Sequence, residues 1–422
     1  MTPYWYGIPG GGEIMDIFPH MSADEEIFPF IPDPPDGTPW RAPAALEERL
    51  YELARRNDAG DDRAAYEYLR VISAEGLYRP VPLAGARQDA PVFVATPADG
   101  RRIVQAYTAG VLPRPHPEVA YEFVTLGDLG MLWPDDVDVL VVNAATPCEA
   151  SFLSDEEERE IWAELRDELF RPGELCDRVE TRRTGAPEGE AMLRGLACGA
   201  HLCYANGDAW NTLDWHGAGY SGEVRRLAEA WGIDDRDDWS GTQERLLAGE
   251  VSPWLWQFTL DGRNWLVREA GQADPALWRD SVEETVRRHV DEDVDALVKG
   301  LRDLVGQIMR YEARFRADGL LPPGGYVRSV AAWDLGRATM VARWGRGARY
   351  ASEAEMRDAI ERAGRSAQTV YGSWAEFSAG YVLGRCLHFD EETFGEWYTD
   401  VLAAHRVLMS HPESPWLSVS LP

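Results

Sequence analysis

Two segments of this chain place charged side chains inside apolar runs: AWDLGRATMVARWG at residues 332–345 and YGSWAEFSAGYVLGR at residues 371–385. Both patterns predict helices that are buried in a protein interior. Asp334 and Arg337 are three residues apart and Tyr381 and Arg385 are four apart, so each pair shares one face of its helix. An unpaired charge in a protein interior costs several kcal/mol. We therefore expect these side chains to be paired with each other or with a ligand.

Glycines beside the two arginines indicate close helix packing. Gly336 and Gly384 each directly precede an arginine, and a residue without a side chain lets a neighbouring helix approach. A second polar group lies upstream and is interleaved with tryptophans 210 and 215; its members are Asn206, Asp208, Asn211, Asp214 and His216.

Two interpretations of these polar residues stay open. In the first, they form an internal network that fixes helix register in a Trp-rich core. In the second, they line a polar cleft between helices, in which the paired arginines bind an anion and Asp214 or Asp334 acts as a base.

The C-terminal half resembles a known bacterial family. The resemblance is carried by the Trp-Asp-x-Gly-Arg block at 333–337, the Tyr-x-x-Gly-Arg block at 381–385 and four upstream elements: Gly199–Asn206, Leu213-Asp214, Tyr220 and Ala230–Ile233. Together these blocks resemble the family called domain of unknown function 1266, almost to Pro422. The resemblance implies an α-helical domain with no assigned chemistry.

The N-terminal half alternates helical periodicity with short strand-like runs. Helical spacing occurs at 46–54 and 64–72, and five apolar runs bounded by turn residues predict strands at 77–83, 92–96, 103–108, 121–125 and 137–142. Ser154 and Glu157 have the spacing of a capping box, which predicts a helix start. Helices at the ends of a strand meander form an α+β layer. We therefore predict an α+β N-terminal domain, a mixed sheet flanked by helices, followed by an all-α C-terminal domain.

Part of this half is similar to the SseB-type N-terminal domain. The similarity spans residues 44–161 and is carried by Pro91–Gly100, Val104–Thr108, Val139–Asn143 and Phe152–Ser154. Tyr107 stands where that family commonly has Phe, and Asn143 lacks the Gly-rich turn that follows it in the family. The resemblance implies a domain found beside secretion systems or in stand-alone regulators and assigns no reaction.

These patterns divide the chain into four parts. Residues 1–42 form a Pro/Gly-rich aromatic strap or tail, 43–180 the SseB-like domain, 181–190 a linker, and 191–422 the helical domain. Residues 275–318 keep helical spacing after Asp274 and Pro275, a favourable helix start. Since an unbroken helix would exceed the length of the domain, we predict bends at Gly300 and Gly306. The alternative is a projecting arm that pairs with a second copy, giving a homodimer through the 275–318 helix.

Charge and cysteine content restrict the partners and the compartment. Asp and Glu outnumber Lys and Arg by 72 to 42, giving a formal net charge of −30, which repels nucleic acid and anionic membranes and attracts a basic protein.

No apolar run approaches the ~20 residues of a membrane span. An odd count of five cysteines argues against a disulfide framework, and the first basic residue is Arg41, so no charged signal-peptide region precedes it. We expect a cytoplasmic protein.

Candidate metal ligands occur at two places. Cys198, His201 and Cys203 lie within six residues, and Cys386 lies near His388. Neither group has the Cys-x-x-Cys or His-x-x-x-His spacing of common sites, and on a helix Cys203 points away from the other two. The sequence also lacks a phosphate loop and a nucleophile elbow. We therefore expect no metal and no cofactor.

The sequence favours a protein of two modules that acts by protein–protein interaction. A regulator, an adaptor or an immunity-type protein that binds a basic partner fits the acidic surface and the lack of a catalytic motif. The alternative is an enzyme or a small-anion-binding protein with a polar cleft in the helical domain. The candidate residues of that cleft, or of the buried network, are Asn206, Asp208, Asp214, Asp334, Arg337, Tyr381 and Arg385.

Overall fold

The computed structural model describes residues 40–87, 95–98, 101–113, 116–171, 178–185, 188–213, 217–289 and 293–422. These residues form an α+β region, residues 40–171, and a helical region, residues 188–422, joined by the connecting segment 178–185. The predicted fold class is confirmed. The strap or tail predicted for residues 1–42 lies outside the described residues except for its last three.

The α+β region contains short strands between helices. Its elements in chain order are α1 (Ala45–Asp58), α2 (Asp62–Glu75), β1 (Leu77–Pro82), α3 (Leu83–Ala86), β2 (Ala95–Ala98), β3 (Arg101–Ala106), a 3-10 turn (Ala109–Val111), β4 (Val119–Val124), α4 (Leu126–Met131), β5 (Val139–Val142), β6 (Ala150–Leu153) and α5 (Glu156–Leu169). All five predicted strands are present in part, and β6 was not predicted.

Two small sheets form the β layer. β1 pairs with β4 in antiparallel register, Leu77 opposite Val124, and the second sheet has the order β2-β3-β5-β6. Strands β3 and β5 are parallel while β2–β3 and β5–β6 are antiparallel, which confirms the predicted mixed sheet but not a meander order. Backbone hydrogen bonds of 2.8 Å between Tyr78 and Tyr107 join the sheets. The core between sheet and helices is formed by Leu50, Tyr68, Ile72, Leu140, Val142 and Trp162.

The predicted start of α5 is shifted by one residue. Asp155, and not Ser154, caps this helix by accepting a hydrogen bond from the backbone N of Glu158. Ser154 is buried and donates its hydroxyl to the carbonyl of Val137 at 2.9 Å. A carbonyl of the loop before β5 therefore accepts the hydroxyl that the sequence spacing assigns to the cap.

The helical region contains twelve helices within its described residues. In chain order they are α6 (Glu190–Cys198), α7 (Ala200–Asn206), α8 (Tyr220–Trp231), α9 (Arg236–Ala248), α10 (Trp254–Ala270), α11 (Pro275–His289), α12 (Val294–Ala317), α13 (Ala331–Gly347), α14 (Glu353–Val370), α15 (Trp374–Phe389), α16 (Glu396–Leu408) and α17 (Pro415–Ser418). Among all described residues, no helix combines the length and the apolar character needed to cross a membrane.

Helix α13 lies at the centre of the helical region. It is buried from Ala332 to Gly345 and packs against α6, α7, α8, α9, α14 and α15. A Cβ on Gly336 would lie 2.9 Å from the carbonyl oxygen of Cys198, and one on Gly384 would lie 2.5 Å from the Trp333 Cβ. Both glycines therefore permit the close helix approach that we expected.

The predicted long helix is a hairpin of two helices. α11 starts at Pro275, and the Asp274 carboxylate accepts from the backbone N of Ala276 at 2.8 Å, which confirms the predicted start. The chain then reverses between α11 and α12, since Arg302 on α12 pairs with Glu283 on α11 at 2.5 Å. The predictions of bends at Gly300 and Gly306 and of a projecting arm are wrong. A homodimer through residues 275–318 stays a prediction.

The α+β and helical regions pack directly on each other. Glu122 of β4 accepts from the backbone N and the hydroxyl of Ser221 on α8 at 3.1 and 2.7 Å. Arg349 donates to the carbonyls of His116 and Val119 at 3.0 and 2.8 Å. These contacts fix the end of β4 to the helical region, beside the cavity described in the next subsection.

Candidate functional site

Asp334 and Arg337 form a buried ion pair with residual exposures of 1% and 7%. One Asp334 oxygen accepts from Arg337 and from the Ser252 hydroxyl, and the other accepts from the Ser252 backbone N at 3.1 Å. Arg337 also donates to the Trp333 carbonyl at 3.1 Å. Burial lowers the pKa of Arg337 because a low dielectric disfavours its charge. Protein groups satisfy this pair, which favours an internal network for these two residues.

Tyr381 and Arg385 lie on α15 in different surroundings. The buried Tyr381 ring stacks on His201 with the centroids 4.3 Å apart, and burial raises the pKa of Tyr381 to about 12. Arg385 is half-buried and lies 5.1 Å from the ring centroid of Trp397, to whose carbonyl it donates at 3.4 Å. In the described residues Arg337 and Arg385 have different acceptors, so the two arginines do not converge on one anion site.

The candidate metal ligands point to protein groups. Cys198 donates to the carbonyl of Arg194 at 3.4 Å, and the Cys203 sulfur lies 3.2 Å from an Arg343 nitrogen. Cys386 is buried, and burial raises the pKa of its thiol. The His388 ring lies against aromatic rings, 4.3 Å from that of Phe389. Within the described residues, no three His, Cys, Asp or Glu side chains are placed to hold a metal ion.

His201 belongs to a buried array that the sequence pattern did not predict. Its Nε2 lies 3.0 Å from the hydroxyl of Ser378, which lies 2.8 Å from Nδ1 of His405. Burial lowers the pKa of His201 well below its usual value and that of His405 to about 4. Since all three side chains are buried, the neutral histidines stabilise the α7–α15–α16 contact.

Two predicted residues, Asn206 and Asp208, lie at a cavity between the α+β and helical regions. Asn206 ends α7, and its side-chain NH2 donates to the Leu202 carbonyl at 2.8 Å. Asp208 is buried in the turn after α7, where its backbone N donates to the Cys203 carbonyl at 2.9 Å. Asp214, His216 and Trp215 lie outside the described residues, so a role of Asp214 as a base stays a prediction.

The loop after α7 also holds the connecting segment. The Asn211 side chain accepts from the backbone N of Arg182 at 2.7 Å and donates to its carbonyl at 2.8 Å. Trp210 donates its backbone N to the Glu180 carbonyl and its indole N to the Thr181 hydroxyl, both at 3.1 Å. The segment that we predicted as a linker is therefore packed on the helical region.

The cavity has a volume of about 470 Å³ and receives walls from both regions. The α+β region contributes the start of α1, the α2–β1 turn, the 3-10 turn and β4. The connecting segment covers one side, and the loops after α7 and before α8 cover the other. A volume in the range of known small-molecule sites, at a junction between two packed regions, makes this cavity the candidate functional site.

Glu47 on α1 lies in the cavity wall with no residual exposure. Its Oε1 accepts from the Thr108 hydroxyl at 2.6 Å and from the backbone N of Gly110 at 2.9 Å. Its Oε2 is buried and accepts no hydrogen bond within the described structure. A buried carboxylate oxygen without a donor is rare in folded proteins, since the loss of water is then uncompensated.

The arginines of the wall are engaged with protein groups. Arg178 pairs with Glu75 and with Glu180. Arg182 donates to the carbonyls of Ala109 and Gly110. Burial raises the pKa of Glu180 more than its neighbour Arg178 lowers it. These guanidinium groups therefore close the cavity wall by binding the chain itself.

A second buried carboxyl group lies behind the wall. Glu223 on α8 has no residual exposure, and its Oε1 accepts from the backbone N of Ala218, a wall residue, at 2.6 Å. Arg226 lies 3.3 Å from the same oxygen. In the described structure Glu223 Oε2 accepts no hydrogen bond, and burial raises the pKa of Glu223 to about 7. Glu223 thus positions both Ala218 and Arg226 at the cavity.

Several polar residues of the interior were not singled out from the sequence. Arg263 and Glu312 form a bidentate buried pair at 2.8 and 2.7 Å, and Arg343 donates to the carbonyls of Ala209 and Thr212. A signal was present for the acidic ones. Glu47, Glu223 and Glu312 each stand three or four residues from a buried apolar residue of the same helix stripe.

Comparison with known proteins identifies one family. Residues 226–421 match the model of the family described as "Protein of unknown function (DUF1266)". No curated protein and no solved structure matches the chain. The SseB-type resemblance predicted for residues 44–161 is not shown and stays a prediction. The match confirms the resemblance predicted for the C-terminal half: residues 226–421 of this chain carry the features of the DUF1266 family, whose description assigns no function.

Proposed function

We propose that this protein binds a small ligand in the cavity between its α+β and helical regions. The observation that supports this most is the buried Oε2 of Glu47 in the cavity wall, which accepts no hydrogen bond from the described residues. Folded proteins satisfy nearly all buried polar groups, and exceptions often mark a place that a ligand completes.

The cavity also has the composition of a ligand site. Tyr78, Phe123 and Phe170 supply aromatic surface, while Glu47 and Asp208 supply polar groups from the two regions. A few polar groups within an apolar wall orient a ligand, and the apolar wall supplies most of the buried area. Binding between two packed regions also links ligand affinity to their relative position.

A fragment screen with cavity-filling variants tests this proposal. Neutral, cationic and anionic fragments are screened by ligand-observed NMR against the full chain, against Ala109→Phe and against Ala218→Phe, which fill the cavity from its two sides. We expect hits that both variants abolish while each variant keeps a cooperative thermal transition. Hits that persist in both variants, or no hits at all, contradict the proposal.

A protein partner is the second candidate function, and one surface feature favours it. The exposed rings of Phe389 and Trp397 stack with their centroids 4.6 Å apart, and the Arg385 guanidinium lies 5.1 Å from the Trp397 ring. Exposed aromatic rings beside an arginine are typical of interface centres. The net charge of −30 supports a basic partner for a regulator, adaptor or immunity-type role.

Affinity capture from the native host tests the partner. Wild type and Trp397→Ser are used as bait at low and at high salt. A specific protein that is captured by wild type at low salt, and lost both with salt and with the substitution, supports this role. Equal capture by both baits contradicts it.

A further inference from the structure

Resting on the proposed function, we propose that the ligand of the cavity is a small organic cation, an amine carried on an apolar body. Three features of the wall support this assignment: an acceptor that has no donor among the described residues, arginines that are paired with carboxyl or carbonyl groups, and a row of aromatic rings.

Glu47 Oε2 is a buried acceptor of the wall without a donor among the described residues, whereas the buried Arg226 Nη1, which also lacks a hydrogen bond there, faces the Glu223 carboxyl group at 3.3 Å. Glu47 Oε1 has two donors, at 2.6 and 2.9 Å, whereas Oε2 has none in the described part of the chain. A Cβ added to Gly110 would lie 2.0 Å from Glu47 Oε2, so this glycine leaves the space that the carboxylate occupies. Glutamine has the same shape as glutamate without the charge, and it could accept the two hydrogen bonds that Oε1 accepts. The fold alone therefore does not require a carboxylate at position 47. The second oxygen thus calls for a donor, and an ammonium group supplies three.

Anionic ligands find their usual partners occupied. Arg178 is shared by two carboxylates, Arg182 is bound to two backbone carbonyls, and Arg226 faces Glu223. Carboxyl groups outnumber guanidinium groups by four to three among the described wall residues. A phosphate or carboxylate would have to displace these internal partners of the arginines. A cation needs no arginine, and its charge would balance the excess carboxyl group of the wall.

The apolar part of the wall suits the body of an organic cation. Tyr78 and Phe123 have ring centroids 5.5 Å apart, and Phe123 and Phe170 have centroids 6.3 Å apart. Such a row of rings binds apolar groups, and the ring faces also attract positive charge. A hydrated inorganic cation would use the carboxylates and leave this aromatic surface unused.

Three probes of similar size and different charge test the inference. 2-Phenylethylamine is a cation at pH 7.5, 3-phenylpropionate is an anion and 2-phenylethanol is neutral. Calorimetric titrations use the full wild-type chain, Glu47→Gln, and the control Glu283→Gln, which removes the same charge from a half-buried glutamate on α11, outside the cavity wall. We expect the amine to bind at least about tenfold more tightly than the other two probes, and Glu47→Gln to weaken the amine by about tenfold or more. Glu283→Gln should leave amine binding unchanged.

The outcomes separate this inference from the function on which it rests. If the anion or the alcohol binds as well as the amine, and Ala218→Phe abolishes that binding, the cavity is a ligand site and the cation assignment is overturned. If amine binding is equal in wild type and Glu47→Gln, the assignment of Glu47 as its acceptor is overturned. If no probe binds at up to about 10 mM, the proposed function and the cation assignment both fail.

Discussion

The helical core and the junction between the two regions treat buried carboxyl groups differently. In the core, both oxygens of Asp334 and both oxygens of Glu312 accept hydrogen bonds. At the junction, Glu47 and Glu223 each have one oxygen that accepts none from the described residues. Complete pairing is what stability requires of a buried charge. Incomplete pairing costs stability, so this difference is what we expect if the core groups hold the fold and Glu47 binds the proposed ligand.

The largest effect should come from the Arg263–Glu312 pair. Arg263→Met leaves Glu312 buried with only the backbone N of Val327 as a donor, and we expect a loss of about 4–5 kcal/mol in the free energy of unfolding. The double variant Arg263→Met with Glu312→Leu should recover part of this loss, since no unpaired charge remains. The recovery is incomplete because the carbonyl and the backbone N of Val327 still lack their partners. Denaturant unfolding of the three variants measures it. A double variant no more stable than Arg263→Met would contradict a paired core.

The Asp334–Arg337 pair should show the same pattern with a smaller effect. After Arg337→Met, Asp334 keeps both of its hydrogen bonds from Ser252, so we expect a loss of about 3 kcal/mol. The double variant Arg337→Met with Asp334→Leu should recover only part of this loss, because the hydroxyl and backbone N of Ser252 then lose their acceptor. The comparison uses equilibrium denaturation of the single and double variants. Near-wild-type stability in all of them would mean that Arg337 is kept for a ligand, as the cleft hypothesis requires.

The His201–Ser378–His405 array should make the core sensitive to acid. The pKa of His405 falls from 6.5 to about 4 in the fold, so between these values the unfolded chain binds a proton that the fold does not. Its stability contribution is therefore complete above pH 6.5 and is lost as the pH falls towards 4. We expect a loss of about 2 kcal/mol between pH 7.5 and 5.

The control is His405→Gln, which lacks the titrating ring. Glu223 acts in the opposite direction, because its raised pKa of about 7 favours the fold as the pH falls. The difference between wild type and His405→Gln at the two pH values removes this contribution. An identical pH dependence of urea unfolding in both proteins would show that His405 does not cause the loss.

The smallest change in stability should come from the junction. Glu47→Gln retains an acceptor for Thr108 and Gly110 and removes a charge with an unfilled oxygen. We expect the free energy of unfolding to change by less than about 0.5 kcal/mol, or to rise. Denaturant unfolding of Glu47→Gln and Arg263→Met under the same conditions measures the difference between the two variants. A loss of several kcal/mol would show that Glu47 stabilises the fold as the core carboxylates do, and it would contradict the difference between core and junction.

Local patterns predicted the helical core well. The charged residues within apolar runs identified α13 and α15, and the three-residue spacing of Asp334 and Arg337 predicted that they share a face. The same reasoning could not find the pairing of Arg263 with Glu312, since 49 residues separate them in the chain. Nor could it find the reversal between α11 and α12, because apolar spacing continues through it.

The cavity could not be predicted, for a related reason. Its walls come from α1, β4, the connecting segment and the loop after α7, and no periodicity within one segment reports how two regions meet. Asn206 and Asp208 line this cavity, but the residues with which the sequence pattern grouped them, Asp334, Arg337, Tyr381 and Arg385, are not in its wall, and a functional role of the two stays a prediction. The spacing of Glu47 from Leu50 places it on the buried stripe of α1, but this spacing alone does not show that a cavity lies there.

The packing of the connecting segment determines how the protein would respond to a protease cut in that segment. Arg183 donates its backbone N to the Pro43 carbonyl at 2.8 Å, and its guanidinium bridges Glu48 and Glu413 at 2.7 and 3.2 Å. Proteases need several residues of extended, accessible chain, so this segment must detach before it can be cleaved. A cut would leave two fragments held together by the contacts of Glu122, Arg349 and Trp210. Ligand binding would then be a property of the fragment complex, which neither half expressed alone could reproduce.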